Sequence, residues 1–285
     1  MVLFIVVITL YPILHIASVS LSGDLHVKSN AVTFYPLDAN LRAYELILRD
    51  ATIPNSFKYA IIYTVVGTAV NMVMTVTMAY ALSKQRLLFR GLITGLVVVT
   101  FFFSGGLIPT YLLVRHLGMY NTIWALVVPV AISVWNLIIM RTFFQTVPQE
   151  LEDSAFIDGA NDITVLVYIV LPVARAAVAV ISLFYAVTHW NSWFPAVVYL
   201  KDAERYPLQV MLREIVIFAG LAEALAREGN FSEALVAFRE RAEMPVTVDR
   251  IKFATLFLSI VPMLVLYPFI QRYFVRGLMI GSLKG

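Results

Sequence analysis

Six long apolar runs alternate with polar connections along the chain. A helix needs about 20 mostly apolar residues to cross the hydrocarbon core of a bilayer, and each run reaches that length. The runs cover residues 1–21, 57–82, 92–114, 122–143, 173–196 and 253–274. The pattern therefore predicts an all-α polytopic membrane protein with six transmembrane helices.

Helix-breaking residues interrupt some of these runs. Ser104-Gly105-Gly106 and Pro109 lie in the third run, and Pro262 and Pro268 lie in the sixth. Such residues are tolerated in a membrane when neighbouring helices satisfy the freed backbone groups, which indicates a packed bundle. The interruption in the third run is typical either of a broken helix that lines a cavity or of two closely packed helices.

Composition supports lipid as the solvent. Hydrophobic residues make up 60% of the chain and charged residues 14%, whereas soluble domains are about 45–50% apolar and about 25% charged. The net charge of +3 fits basic residues beside lipid headgroups, so we expect no nucleic-acid partner. The absence of cysteine excludes disulfides, zinc–thiolate sites, Fe–S clusters and thiol catalysis.

We expect one transmembrane domain over residues 1–285, with its core at about 57–275. The chain opens in the apolar run Met1–Leu10 with neither a basic lead-in nor a small-residue cleavage site, so this run is predicted to be a retained span. Residues 201–252 form a long polar excursion, and the Ala/Glu/Arg-rich stretch Leu212–Glu243 within it predicts two short helices. We expect this helical excursion on the external side.

The orientation follows from the basic residues of the short connections. Lys84, Arg86 and Arg90 lie between the second and third runs, which places that connection in the cytosol. Alternation then places both termini and the connection 144–172 on the same side. That connection runs against the charge rule, because it holds five acidic residues and no Lys or Arg.

The connection between Phe144 and Pro172, called here the 144–172 loop, is predicted to form a helix, a turn and a second helix. Thr146 and Gln149 predict a capping box at the start of a helix that runs to about Ile157. Gly159 is placed to end this helix in a left-handed conformation, and Asp162 is a predicted cap for the second helix. The acidic residues predict an acidic outer surface: Glu150, Glu152, Asp153, Asp158 and Asp162.

The spacing in this loop resembles the coupling loop of ABC importer permeases. The family pattern is Glu-Ala-Ala, three residues, Gly, nine residues, Ile, one residue and Leu-Pro. Asp153-Ser154-Ala155, Gly159, Ile169 and Leu171-Pro172 match it at every spacing, with Asp for Glu and Ser for Ala. The flanking sequence, Trp190-Asn191-Ser-Trp193-Phe194 and the tail Tyr273–Gly285 resemble the carbohydrate (maltose-type) branch and its permeases for pectin fragments and alginate.

The resemblance implies the type I permease fold in the bacterial inner membrane and import of an oligosaccharide. It also implies a second permease subunit, two ATPase subunits that bind ATP and Mg, and an extracytoplasmic solute-binding protein. The loop would dock into the ATPase and transmit its closure to the spans. The residues implied to couple are Glu152, Asp153, Ser154, Ala155, Asp158, Gly159 and Ala160.

Candidate residues for the substrate path lie in the fourth and fifth runs. Aromatic rings stack on the faces of sugars, and side-chain amides form hydrogen bonds with sugar hydroxyl groups. The candidates on this ground are His189, Trp190, Asn191 and Trp193. The alternative for the tryptophans is a place at the membrane interface, where Trp is also common. Asn136 is a further candidate, and interhelical hydrogen bonding is the alternative role for it and for Asn71. For His15 we expect a contact at the interface or between helices.

Other classes of protein find little support. The chain has no G-x-x-x-x-G-K-[ST] run for ATP, so the energy must come from a partner. A stand-alone secondary transporter is the alternative, but no Asp or Glu lies in the six apolar cores, where ion-driven transporters usually carry acidic residues. An enzyme is disfavoured, because no nucleophile–base or metal-ligand spacing is present.

Overall fold

The computed structural model describes residues 2–49, 51–217 and 248–282. The described residues are helical with no strand, as predicted. The α-helices are α1 Val2–Leu21, α2 Asp24–Lys28, α3 Arg42–Arg49, α4 Thr52–Ser83, α5 Arg90–Phe102, α6 Leu107–His116, α7 Trp124–Val127, α8 Val134–Gln145, α9 Gln149–Ile157, α10 Asp162–Val165, α11 Leu171–Val173, α12 Arg175–Trp190, α13 Phe194–Tyr199 and α14 Val248–Ser282. Residues 208–217 are also helical.

The helices account for the six predicted spans in two ways. Among the described residues, three single helices are long and apolar enough to cross a membrane, at Phe4–Leu21, Thr52–Ser83 and Asp249–Pro268. Three pairs of helices pass the same test when each pair is taken as one bent span. Counting each pair once gives six spans, of which five overlap the predicted runs closely. The pair from Asp162 to Trp190 instead begins within the connection 144–172, ahead of the fifth run at 173–196.

The bent pairs differ in their angle. The α5–α6 pair turns by 115°, the α7–α8 pair by 57°, and the segment Asp162–Val173 meets α12 at 88°. The first bend confirms a broken helix at Ser104-Gly105-Gly106. A Cβ atom on Gly105 would meet nothing within 4 Å, so close packing against described parts of this chain does not explain that glycine.

The fourth predicted span, at about Thr122–Phe143, is a bent pair of helices and not one continuous helix. The helix stops after a 3₁₀ turn at Val128–Val130 and restarts at Val134. Pro129 lacks the N–H that would continue the α-helical ladder. Ser133 then caps α8, its side chain accepting a hydrogen bond from the backbone N–H of Asn136.

The first compact unit comprises the described parts of residues 1–60 and 203–265. Ala43 and Ile47 of α3 pack with Ala254 of α14 in one apolar cluster. His15 contacts the Thr33 carbonyl through Nδ1 at 3.0 Å and packs edge-on against Phe253. The expected interhelical contact of His15 is thereby confirmed.

The second compact unit comprises residues 61–202 and the described parts of 266–285. Its core contains buried residues of α4, α8, α12 and the 144–172 loop, including Tyr80, Met140, Phe144, Val165 and Ile181. The loop is thus packed into the same apolar core as the spans that it connects. Of the predicted excursion at 201–252, residues 218–247 lie outside the described residues, and with them most of Leu212–Glu243.

Candidate functional site

The 144–172 loop forms the predicted helix–turn–helix, and its turn has a defined geometry. Helix α9 ends in a Schellman motif, in which the Gly159 N–H donates to the Phe156 carbonyl at 3.1 Å and the Ala160 N–H to the Ala155 carbonyl at 2.9 Å. Gly159 has φ +86°, the left-handed region that favours glycine. The prediction for Gly159 is confirmed.

Two predicted caps of this loop are wrong. The Thr146 hydroxyl donates to the Phe143 carbonyl at 2.7 Å, which closes the end of α8, and Pro148 stands at the N-cap of α9. The cap of α10 is Asn161, whose Oδ1 accepts from the Thr164 N–H at 2.9 Å, and not Asp162. Either neighbour in Asn161-Asp162 is a good cap by type, so residue preference could not choose between them.

The loop has one face packed on the protein and one face exposed. Ala155, Phe156 and Ala160 pack against the core of the second unit. Ile157 and Ile163, on either side of the turn, are 86% and 74% exposed. Asp153, Ser154, Asp158 and Gly159 are exposed as well. The tip therefore combines apolar side chains with carboxylates on a surface that an aqueous partner could cover.

Glu152 does not belong to the acidic outer surface that the sequence predicts. It is buried, with 6% of its surface exposed. Lys84 Nζ contacts both carboxylate oxygens of Glu152. Periodicity alone could not show this, because the partner lies in another connection, 68 residues earlier in the chain.

A second ion pair joins the same two connections. Arg86 contacts Asp162, and both side chains are more than half exposed. Arg86 also lies 4.8 Å from the ring centroid of Phe156. Lys84 and Arg86 thus supply the basic residues that the 144–172 loop lacks, which resolves its conflict with the charge rule. Sequence reasoning used Lys84 and Arg86 for orientation alone, although the opposite charges of the two connections were a signal of pairing.

The substrate-path candidates divide into buried and exposed residues. Asn136, His189 and Trp190 are buried within the unit. Asn191 and Trp193 are exposed in the turn between α12 and α13. Trp193 packs edge-on against Phe194 with ring centroids 5.5 Å apart.

Buried polar side chains meet at the break in the fourth span. Asn71 Nδ2 donates to the Val130 carbonyl at 2.6 Å, and the Tyr185 hydroxyl accepts from the Ser133 N–H at 3.0 Å. These are backbone groups that the break leaves without helical partners, and a membrane offers no water to satisfy them. The expectation that Asn71 bonds between helices is confirmed.

The end of the unit that holds the connection between α6 and α7 is also fixed by polar contacts. The Asn121 N–H donates to the Tyr199 carbonyl at 2.9 Å, and Asn121 Nδ2 donates to Asp202 at 2.9 Å. The Tyr199 ring stacks on Tyr111 with centroids 6.2 Å apart. Burial raises the pKa of Tyr199 above its ordinary value.

Comparison with known proteins decides the family. The chain is 41% identical over 278 residues to the polygalacturonan/rhamnogalacturonan transport system permease protein YtcP of Bacillus subtilis (strain 168), covering 98% of this chain and 93% of that protein. It is 39% identical to the protein LplC of the same organism, covering 98% and 90%. This chain belongs to the permease subunits of carbohydrate ABC importers.

Solved structures give the same family. The permease matches a chain in the crystal structure of a bacterial ABC transporter involved in the import of the acidic polysaccharide alginate, with a TM-score of 0.83, 31% identity, and coverage of 95% and 92% of the two chains. No family model matches the chain. The permease is a multi-pass inner-membrane protein and a transport subunit, not an enzyme.

Proposed function

We propose that this permease imports an acidic oligosaccharide and takes its energy from a separate ATPase, which docks on the 144–172 loop. The observation that carries the proposal is the exposed tip of that loop. Ile157 and Ile163 flank the Gly159 turn, and the packed face holds the turn on the core of the spans. An exposed apolar tip on a firmly packed base is suited to fill a cleft in a partner.

Charge adds specificity to this docking surface. Asp153 and Asp158 are exposed beside the apolar tip, so a basic residue at the rim of the cleft would complement them. Ser154 is exposed, and its small side chain lets the partner approach the backbone closely, whereas Ala155 and Ala160 lie on the packed face that supports the turn. Glu152 does not contact the ATPase directly, because its carboxylate is bound by Lys84 of the same chain. It contributes to docking by fixing α9 in place.

The partners follow from the same proposal. A second permease completes the pore, two ATPase subunits bind ATP and Mg on the cytosolic side, and a solute-binding protein delivers the sugar. Both the 144–172 loop and the connection that bears Lys84 then face the cytosol. The ion pairs between them support a common side of the membrane for the two connections.

The class of substrate is proposed from two relatives. One carries polygalacturonan and rhamnogalacturonan in its name, and the other belongs to an alginate importer. Galacturonate and alginate chains share a carboxylate on the sugar ring. We assign contact with the sugar to Asn191 and Trp193, the exposed candidates, and a supporting role to Asn136, His189 and Trp190.

The test purifies the chain from membranes in mild detergent and identifies the associated proteins by mass. The proposal expects an ATPase with a phosphate-binding loop and a second permease. Labelled oligogalacturonate and alginate oligosaccharide should enter cells that carry the importer, whereas a neutral malto-oligosaccharide should not. Purification without an ATPase would refute the coupling, and uptake of the neutral sugar alone would refute the substrate class.

A matched pair of variants locates the docking surface. Ile157→Asp places a charge on the tip of the loop, and Leu25→Asp places one at an 82% exposed leucine of α2. We expect Ile157→Asp to lose the ATPase and at least about tenfold of uptake, since a charge in an apolar contact is costly. The Leu25→Asp variant should keep the ATPase bound.

A further inference from the structure

Lys84, the first residue after α4, binds the buried face of the 144–172 loop. Lys84 follows Ser83, the last residue of α4, and its Nζ contacts both carboxylate oxygens of Glu152. The two side chains are 16% and 7% exposed. Lys84 Nζ also lies 4.3 Å from the ring centroid of Tyr80, one turn earlier in α4. The pair is therefore shielded from water on several sides.

The second half of the loop is tied to the same end of α4. The Tyr80 hydroxyl donates to Asp162 at 3.4 Å, and Arg86 contacts the same carboxylate. Glu152 lies before the Gly159 turn and Asp162 lies after it. Tyr80 of α4 and the residues directly after α4 thus contact both arms of the turn.

Neighbouring acidic residues in α9 face different surroundings. Glu152 is buried against Lys84, whereas Asp153 is exposed on the surface that we propose for the ATPase. The two residues are adjacent in α9, so the exposed face and the buried ion pair belong to the same turn of helix. Buried pairs are much less screened than exposed ones, so Lys84–Glu152 holds this contact more firmly than Arg86–Asp162 does.

We infer that Lys84 is a positioning residue of the transport cycle, which transmits the movement of the 144–172 loop to α4 through Glu152. The inference rests on the proposed docking of an ATPase on this loop. Through the ion pair, movement of the loop displaces the second span. The loop also displaces the fourth and fifth spans, which it joins directly. Without the pair, the ATPase would still dock and hydrolyse ATP, but its closure would move α4 less.

The test measures oligosaccharide uptake per ATP hydrolysed in proteoliposomes that contain the whole importer and its binding protein. The sugar is whichever labelled acidic oligosaccharide the wild-type importer takes up. For Lys84→Met we expect the ATPase to stay bound and to hydrolyse ATP while the uptake-to-hydrolysis ratio falls at least about tenfold. The exchanged pair Lys84→Glu/Glu152→Lys should restore the ratio to within a few-fold, because it rebuilds the contact.

Controls separate this role from simple stabilisation. Lys252→Met removes an ion pair with Asp249 on the surface of α14 and should leave the ratio unchanged. If Lys84→Met does not fold, Lys84→Arg and the exchanged pair provide the test, and both should retain coupling. An unchanged ratio in Lys84→Met, loss of the ATPase from it, or an exchanged pair that fails to recover would overturn the inference. Failure of Ile157→Asp to release the ATPase would instead refute the docking proposal.

Discussion

Asn71 of α4 and His189 of α12 are joined by a buried hydrogen bond of 3.0 Å between Asn71 Oδ1 and His189 Nε2. Asn71 Nδ2 already donates to the Val130 carbonyl, so its Oδ1 must accept and His189 Nε2 must carry the proton. The pair therefore fixes the tautomer of His189 and links three spans at the break in the fourth.

Gly67 makes room for this pair. A Cβ atom on Gly67 would lie 2.5 Å from His189 Nε2. Gly67→Ala should therefore displace the ring and lower the apparent stability by about 1–3 kcal/mol, measured as thermal unfolding in detergent. Gly95→Ala is the matched control, because its Cβ meets nothing within 4 Å. It should be neutral or stabilise by up to about 1 kcal/mol. Equal effects of the two changes would contradict the packing argument.

Tyr185 supports the other side of the break. Its hydroxyl accepts from the Ser133 N–H and bonds to Thr75 Oγ1 at 2.7 Å. Tyr185→Phe takes this partner away from the partly buried Ser133 N–H and from the buried Thr75 hydroxyl, which costs about 1–3 kcal/mol. Thr77→Val removes a hydroxyl that bonds only within its own helix, to the Val73 and Met74 carbonyls, and should change stability little. The midpoint of thermal unfolding compares them, and an unchanged midpoint for Tyr185→Phe would refute the support.

Gly159 is required for its backbone conformation, and the chain contains a matched control. Gly118 ends α6 in the same Schellman motif with φ +70°, and neither glycine has an atom within 4 Å of a built Cβ. Valine at either position should cost about 1–2 kcal/mol, because a left-handed conformation is strained for it. We expect Gly159→Val alone to abolish uptake and ATPase binding. Equal loss of uptake in Gly118→Val would show that strain, and not docking, is the cause.

Arg250 of α14 contacts α2 and the segment before α3 within the first unit. It is 1% exposed and donates to Asp24 at 2.8 Å and to the Asn40 amide oxygen at 2.6 Å. Asp24→Ala leaves a buried guanidinium without its counter-charge, which costs about 3–5 kcal/mol. Asp249→Ala breaks an exposed pair with Lys252 and should cost at most about 1 kcal/mol. Thermal unfolding of the two variants checks this, and similar midpoints would contradict the burial argument.

The features that the sequence predicted are local in the chain. The apolar runs located the spans because length and apolarity suffice to define a helix in a membrane. The Gly159 turn was predictable because a left-handed helix end favours glycine. Pro129 is the same kind of local signal for the break in the fourth span. It was not used as a break, because the apolar run continues across it for the full length of a span.

The features that the sequence did not predict depend on distant contacts. Whether Glu152 points outward or inward is decided by Lys84, and no pattern within α9 contains that information. Likewise, the hydrogen bond between His189 and Asn71 and the close approach of Gly67 to the His189 ring depend on residues more than 100 positions apart in the chain. Such pairings become visible only when the fold brings separate segments together.

The central claim is that the ATPase docks on the tip of the 144–172 loop, and cross-linking tests it most directly. The chain has no cysteine, so Ile157→Cys introduces a unique thiol that can carry a photoactivatable maleimide in intact membranes. We predict an adduct between this chain and the ATPase from Ile157→Cys, and none from the equally exposed Leu25→Cys. A labelled Ile157→Cys that gives no ATPase adduct, while the assembled importer remains active, would contradict the account.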